Sequence, residues 1–145
     1  VDSIDRAILE LLRRNARAPF AEIGADVGLS ASAVKRRVDR LAESGVIRSF
    51  TIQVDPRREG LGTEAYIELF CRGTVSPADL RRILSAESAV VSAATVSGEA
   101  DAIVHIRSRD VSSLEEALER VRSAPSVDHT RSAIVLSRLV SRDAG

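Results

Sequence analysis

The chain has no tryptophan and no methionine, only one tyrosine and three phenylalanines, and a single cysteine, Cys71. Each scarcity excludes something. Aromatic residues make up 3% of the chain against a hydrophobic content of 44%, so a core must be built from Val, Ile, Leu and Ala. That content also excludes a disordered chain. One cysteine excludes an intrachain disulfide and a cysteine zinc cluster, and fits a reducing cytosol. No apolar run approaches the roughly 20 residues that a membrane-spanning helix needs. No signal-peptide pattern opens the chain either. Val1 stands where a Met is usual, as expected after removal of a residue or from a non-standard start codon read literally. The only histidines, His105 and His129, stand in no catalytic motif. No metal-ligand set and no catalytic set is expected. Net charge is also missing: 21 basic residues balance 21 acidic ones. Global charge therefore gives no reason to expect a nucleic-acid partner.

The local distribution of charge does. Residues 31–40 hold four basic residues, Lys35, Arg36, Arg37 and Arg40, against one acid, Asp39. They lie in a stretch that reads as helix, tight turn, helix. Asp2 or Ser3 can cap a first helix to about Asn15, with Ile4, Ile8, Leu11 and Leu12 on one face. Pro19 suits the first position of a second helix, with Ile23 and Val27 inward and Gly28 closing it. Ser30 then caps a third helix to about Ser44, whose inner face is Val34, Val38 and Leu41. Ser32, Ala33, Lys35, Arg36, Asp39 and Arg40 are left facing outward. This layout puts the last helix into a DNA major groove. Arg and Lys can pair with guanine or phosphates, and small residues permit close approach. The expected contacts to double-stranded DNA are Ser30, Ser32, Ala33, Lys35, Arg36 and Arg40. Arg37 sits between inner positions, where it either contacts DNA or pairs with Glu22 or Asp26. Beyond Gly45, Ser49–Val54 reads as a strand and Asp55–Gly62 as a polar linker.

The remainder alternates differently. Glu64–Arg72 reads as a strand with Ala65, Ile67, Leu69 and Cys71 on one side. Ser76 and Pro77 open a helix with Leu80, Ile83 and Leu84 inward. Val90–Val96 and Ala102–Ser108 read as strands. Ser112 is the expected cap of a helix with Leu114, Leu118 and Val121 inward, and Val127–Val140 reads as a long last strand. The order β-α-β-β-α-β gives an α+β, ferredoxin-like unit: a four-stranded antiparallel sheet with two helices on one face. The other face, expected to carry Val and Ala rather than charge, would pack on a second copy. Between the second and third strands lies Val96-Ser97-Gly98-Glu99-Ala100-Asp101. Gly98 allows a sharp turn that exposes N–H groups to a carboxylate, and Asp101 can accept from an ammonium. On the residues alone a plain loop, with Asp101 as a turn residue, is the preferred reading.

IDRAILELLRRNAR, LSASAVKRRVDRLAESGVI and VSGEADAIVHIRSRD together resemble the Lrp/AsnC family of bacterial and archaeal transcription regulators. The resemblance runs over about residues 2–140. It implies a winged or plain helix-turn-helix domain at 1–48, a linker strand and hinge at 49–62, and a ferredoxin-like effector-binding and oligomerisation domain at 63–145. It implies homodimers, paired partly through the linker strand, that assemble into tetramers or octamers. It also implies an amino-acid effector between sensor domains and no cofactor. The effector set it implies is Val96, Ser97, Gly98, Glu99, Ala100 and Asp101, with Asp101 holding the amino group. Thr130 and Ser132 would complete the site from a neighbouring subunit. Ala100 stands where relatives often carry an aromatic, which points to a bulkier apolar or aromatic effector. Such a protein works in the cytoplasm, on the nucleoid. Two other functions compete. One is an architectural DNA-binding protein without an effector. The other is an enzyme like the haem-pathway decarboxylases, which share the two-domain architecture but have no use for a basic reading helix.

Overall fold

The computed structural model describes residues 1–141, so the last four residues of the expected 63–145 domain lie outside the described residues. The chain divides into two compact units, one ending at Ile52 and one beginning at Gln53.

The first unit is three helices, α1 (Ser3–Arg14), α2 (Phe20–Val27) and α3 (Ala31–Glu43). Asp2 caps α1. Its carboxylate accepts from the Asp5 N–H at 2.7 Å, and the Asp5 carboxylate accepts from the Asp2 N–H at 3.0 Å. This reciprocal capping box satisfies two donors that the first turn leaves open. Pro19 caps α2 rather than forming its first residue: its ψ of 139° is extended, and its carbonyl accepts from Glu22 and Ile23. Gly28 ends α2 at φ 72°, a left-handed conformation with little cost only for glycine. Ile8, Leu12, Ile23, Val34 and Val38 form the core, each 7% exposed or less. Burying each side chain of this size contributes about 1.5–3 kcal/mol.

The second unit runs β1 (Thr63–Cys71), α4 (Pro77–Ser85), β2 (Val90–Thr95), β3 (Ala102–Ser108), α5 (Val111–Arg122) and β4 (Val127–Ile134). Its strands form one antiparallel sheet in the order β2-β3-β1-β4, the ferredoxin-like arrangement. Ala65, Ile67 and Leu69 of β1 and Ala102, Val104 and Ile106 of β3 alternate onto the helix side. They meet Leu80 and Leu84 of α4 and Leu114, Ala117, Leu118 and Val121 of α5. Ser76 caps α4 with Pro77 next, as the sequence implied. The cap of α5 is Asp110, not Ser112. Its carboxylate accepts from the Ser113 N–H at 2.7 Å, and a charged acceptor two residues earlier starts the helix at Val111.

Three expectations fail, the first two for a shared reason. Ser49–Val54 is not a strand: among the described residues no strand pairs with it. β4 is regular to Ile134 instead of Val140; the Val135 N–H still donates to the Glu64 carbonyl at 2.9 Å, and β1, which begins at Thr63 opposite Leu136, offers no partner beyond that level. Extended, β-branched sequence is only half of a strand; the other half is a hydrogen-bonding neighbour. The open face of the sheet is not a plain Val/Ala surface either. It carries Glu64, Tyr66, Glu68 and Phe70 from β1, Ile103, His105 and Arg107 from β3, and His129 and Arg131 from β4. Small and uncharged side chains predominate only on the edge strand β2, whose sequence is VVSAAT, with Ala133 of β4 opposite Tyr66.

Candidate nucleic-acid interface and effector loop

The candidate reading surface is built by the turn between α2 and α3. Gly24 lets the turn close: a Cβ there would lie 2.3 Å from the Leu29 carbonyl oxygen, and the Leu29 N–H reaches the Gly24 carbonyl at 2.8 Å. Sequence reading missed Gly24. Its signal was the rarity of glycine inside a helix, where it costs about 1 kcal/mol relative to Ala. Ser30 then caps α3, its hydroxyl accepting from the Ala33 N–H at 3.2 Å and lying 3.1 Å from the Ser32 hydroxyl. A cap that uses Ser30 in this way leaves Ser32 and Ala33 on the exposed first turn.

The basic residues of α3 fall into three environments. Lys35 donates to Asp39 one turn on, at 2.6 Å, with both side chains solvated. Arg36 has no ion-pair partner among the described residues. Together with Leu29, Ala33, Arg37 and Arg40 it lines a hollow of about 410 Å³. Arg37 is turned inward. Its Nη1 donates to Asp2 Oδ2 at 2.6 Å and to Asp5 Oδ1 at 2.7 Å, so its partners are not Glu22 or Asp26. The carboxylates at the α1 N-terminus are already aligned by their capping box, which makes them the better acceptors. The Asp5 N–H bond, then Arg37, holds the Asp2 carboxyl at about 2, and Arg37 holds Asp5 below the usual carboxylate range. Arg40 stays 65% exposed, with its nearest acid, Asp5, at 3.9 Å.

In the second unit, the 96–101 loop joins β2 to β3. Gly98 has φ 146°, a conformation that L side chains rarely adopt. The Val96 N–H donates to the Asp101 carbonyl at 3.3 Å, and the Asp101 N–H donates to the Leu69 carbonyl at 2.9 Å. Asp101 Oδ2 accepts from the Cys71 N–H at 2.7 Å, which fixes the carboxylate at the end of β1. Burial, and then the nearby Asp101 charge, push the Cys71 thiol up. Ala100 is 6% exposed, whereas Ser97, Glu99 and Asp101 face solvent.

Thr130 and Ser132 do not join this loop within one chain. In the sheet, Leu69 of β1 lies between Ala102 and Thr130, so Thr130 is two strand spacings, about 10 Å, from the start of β3. Thr130 accepts from Arg122 Nε at 2.8 Å, and Ser132 is exposed. A larger hollow, about 630 Å³, lies between α4 and β2 and includes no residue of the 96–101 loop. Among the described residues no cluster of His, Cys, Asp and Glu could hold a metal ion. No helix there is long and apolar enough to cross a membrane.

Both histidines have structural environments on the open sheet face. His105 stacks on Tyr66 at 4.8 Å and bonds Glu64 at 2.7 Å. His129 stacks on Phe70 at 4.3 Å and bonds Asp128 at 2.7 Å.

Known proteins match both units. Residues 1–42 match the AsnC-type helix-turn-helix domain, and residues 64–144 match the Lrp/AsnC ligand binding domain. An HTH-type transcriptional regulator of Mycobacterium tuberculosis is 51% identical over 142 residues, covering 98% of this chain and 96% of its own. A feast or famine regulatory protein of M. tuberculosis, solved in complex with L-methionine, superposes with a TM-score of 0.90 at 30% identity over 99% of this chain and 97% of its own. Escherichia coli AsnC superposes with a TM-score of 0.93 over 99% of this chain and 97% of its own; at 24% identity that likeness shows the fold alone. With both units matched in the family's order, the chain belongs to the Lrp/AsnC family, whose members are DNA-binding transcription regulators and not enzymes.

Proposed function

We propose that this regulator changes its DNA binding in response to an amino acid held by the 96–101 loop. The supporting observation is the Asp101 carboxylate. The Cys71 N–H fixes one of its oxygens at 2.7 Å, beside a loop that Gly98 opens at φ 146°. A carboxylate held at a strand end is a ready acceptor for an ammonium, and the loop's N–H groups suit the matching carboxylate. The methionine complex of the M. tuberculosis protein supports an amino acid as the class of ligand. Ala100 leaves little bulk at the base of the loop, so the effector is apolar or aromatic.

Ser30, Ser32, Ala33, Lys35, Arg36 and Arg40 contact double-stranded DNA. Residues 1–48 are the DNA-binding domain, 49–62 a linker and hinge that becomes a strand only when a second copy pairs with it, and 63–145 the effector-binding and oligomerisation domain. The protein is a homodimer that assembles into tetramers or octamers on the nucleoid, in the cytoplasm. Exposure supports assembly: Ile52, Leu136 and Leu139 are 81%, 91% and 90% exposed in one chain, which leaves them free to meet a second copy. Thr130 and Ser132 then complete the effector site from a neighbouring subunit. The effector acts by favouring one assembly over another, which requires different affinity for the two.

A thermal-shift screen against the twenty amino acids tests the effector site, because a ligand of the native state raises the melting temperature by mass action. The expected result is a shift with an apolar or aromatic amino acid that Asp101→Ala abolishes while DNA binding persists. A full shift retained in Asp101→Ala would remove that residue from the site. Binding of Asn, Asp or Gly alone would refute the apolar assignment.

A further inference from the structure

We infer that Arg37 is a positioning residue for the DNA-reading surface: from the middle of α3 it clamps the start of α1 and so sets where Arg36 and Arg40 are held, without contacting DNA itself. The inference rests on the DNA-reading role proposed for α3.

Three observations carry it. First, the Arg37 side chain is 23% exposed, against 62% for Lys35 and 65% for Arg40 on the same helix. Second, its charge is already spent. One guanidinium nitrogen donates to both Asp2 and Asp5, at 2.6 and 2.7 Å, so two carboxylates face one cation and leave no net attraction for a phosphate. Third, the acceptors are rigid. Asp2 and Asp5 each bond the other's backbone N–H, so the clamp grips the helix end itself and not two free side chains.

What the clamp contributes is direction. The core between α1 and α3 is Ile8, Leu12, Val34 and Val38, small aliphatic side chains with no polar atoms to fix a register. Charge-assisted hydrogen bonds are directional and resist sliding or rotation of one helix on the other. Asp5 Oδ1 also lies 3.9 Å from Arg40 Nη2, so the oxygen that fixes Arg37 faces the next arginine along α3. Arg37, Arg36 and Arg40 border the same hollow, so a shift of α3 would move the two reading arginines together.

The test is the affinity of the full chain for its DNA as a function of salt, in wild type, Arg37→Ala, Arg37→Lys and Asp2→Asn. Each phosphate contact contributes about 0.9 to the slope of log K against log salt, so losing a contact lowers the slope and losing a positioning residue does not. Arg37→Ala is expected to weaken binding about tenfold or more with the wild-type slope, a loss in the range of a lost base contact. Arg37→Lys recovers most of it, since an ammonium can still bridge two carboxylates. Asp2→Asn gives an intermediate loss, again with the wild-type slope. A slope reduced by about one in Arg37→Ala would make Arg37 a phosphate contact and overturn the inference. So would unchanged affinity, well below the melting temperature, in a variant that merely melts earlier. If Arg37→Ala does not fold, wild-type affinity in Asp2→Asn overturns the inference on its own. A wild-type chain that binds no DNA would instead refute the reading role of α3.

Discussion

The most consequential side chains of the first unit are charged, and they divide by what they face. Arg36 and Arg40 look outward; among the described residues Arg36 has no ion-pair partner and Arg40 only Asp5 at 3.9 Å, so both are available to DNA. Arg36→Ala is expected to weaken binding by about 1–3 kcal/mol if it reads a base, with the loss concentrated on the preferred sequence. Competition binding against unrelated DNA checks this; equal losses on all sequences would make Arg36 a phosphate contact. Asp2 and Asp5 look inward, and their depressed acidities tie stability to pH. A carboxyl lowered on folding stabilises above its unfolded value of 3.8, and that contribution disappears as pH falls through the folded value, about 2 for Asp2. The first unit is therefore expected to lose stability between about pH 4 and pH 2, and Asp2→Asn to flatten that part of the profile. Circular dichroism melts across this window check it; a profile unchanged by Asp2→Asn would contradict it.

At the scale of elements, the helix-turn-helix depends on one close backbone approach. Gly24→Ala would drive a methyl to 2.3 Å from the Leu29 carbonyl, so the turn must open. A loss of about 1–3 kcal/mol is expected, as for other overpacked sites, together with weaker DNA binding because α3 moves. Denaturant melts and a DNA titration of the variant check both. Much of the fold was legible because its signals are local. Ser30, Ser76 and Pro77 mark helix starts by side-chain chemistry alone, Gly28 marks an end, and Ala65-Ile67-Leu69 marks a buried strand face by alternation. What failed was non-local. Ser49–Val54 and Val135–Val140 carry strand-like residues, but pairing needs a neighbour that one chain does not supply. Arg37 meets acids 32 and 35 residues away, which no helical spacing could reveal. The charge of the open face is local too: Glu64, Glu68, His105 and Arg107 alternate with the buried residues of β1 and β3, against the expected Val/Ala surface. In the candidate effector site, the turn at Gly98 and the acid at Asp101 could be read in sequence. The strand that separates Thr130 from Asp101 could not.

For the whole molecule, exposed apolar surface decides the quaternary expectation. Phe50, Ile52, Leu136 and Leu139 are each more than half exposed, and none is buried by the chain's own fold. The open sheet face adds stacked rings and paired charges, Tyr66 on His105 and Arg131 on Glu68 at 3.0 Å, which a second copy could cover. Ile52→Asp is expected to weaken the proposed dimer about tenfold or more, the equivalent of losing the burial of one aliphatic side chain. Sedimentation equilibrium checks this, and an unaltered association constant would exclude Ile52 from the interface. In the proposed mechanism assembly matters to function because the effector acts on DNA by shifting the balance between assemblies with different affinity for it. The most direct test selects an operator from random DNA with the purified chain. It then follows the size and affinity of the protein–DNA complex by sedimentation, with and without each amino acid. The expected result is a change in both with an apolar or aromatic amino acid, absent in Asp101→Ala. Identical complexes with all twenty would contradict an amino-acid-responsive regulator and leave a DNA-binding protein that acts without this class of effector.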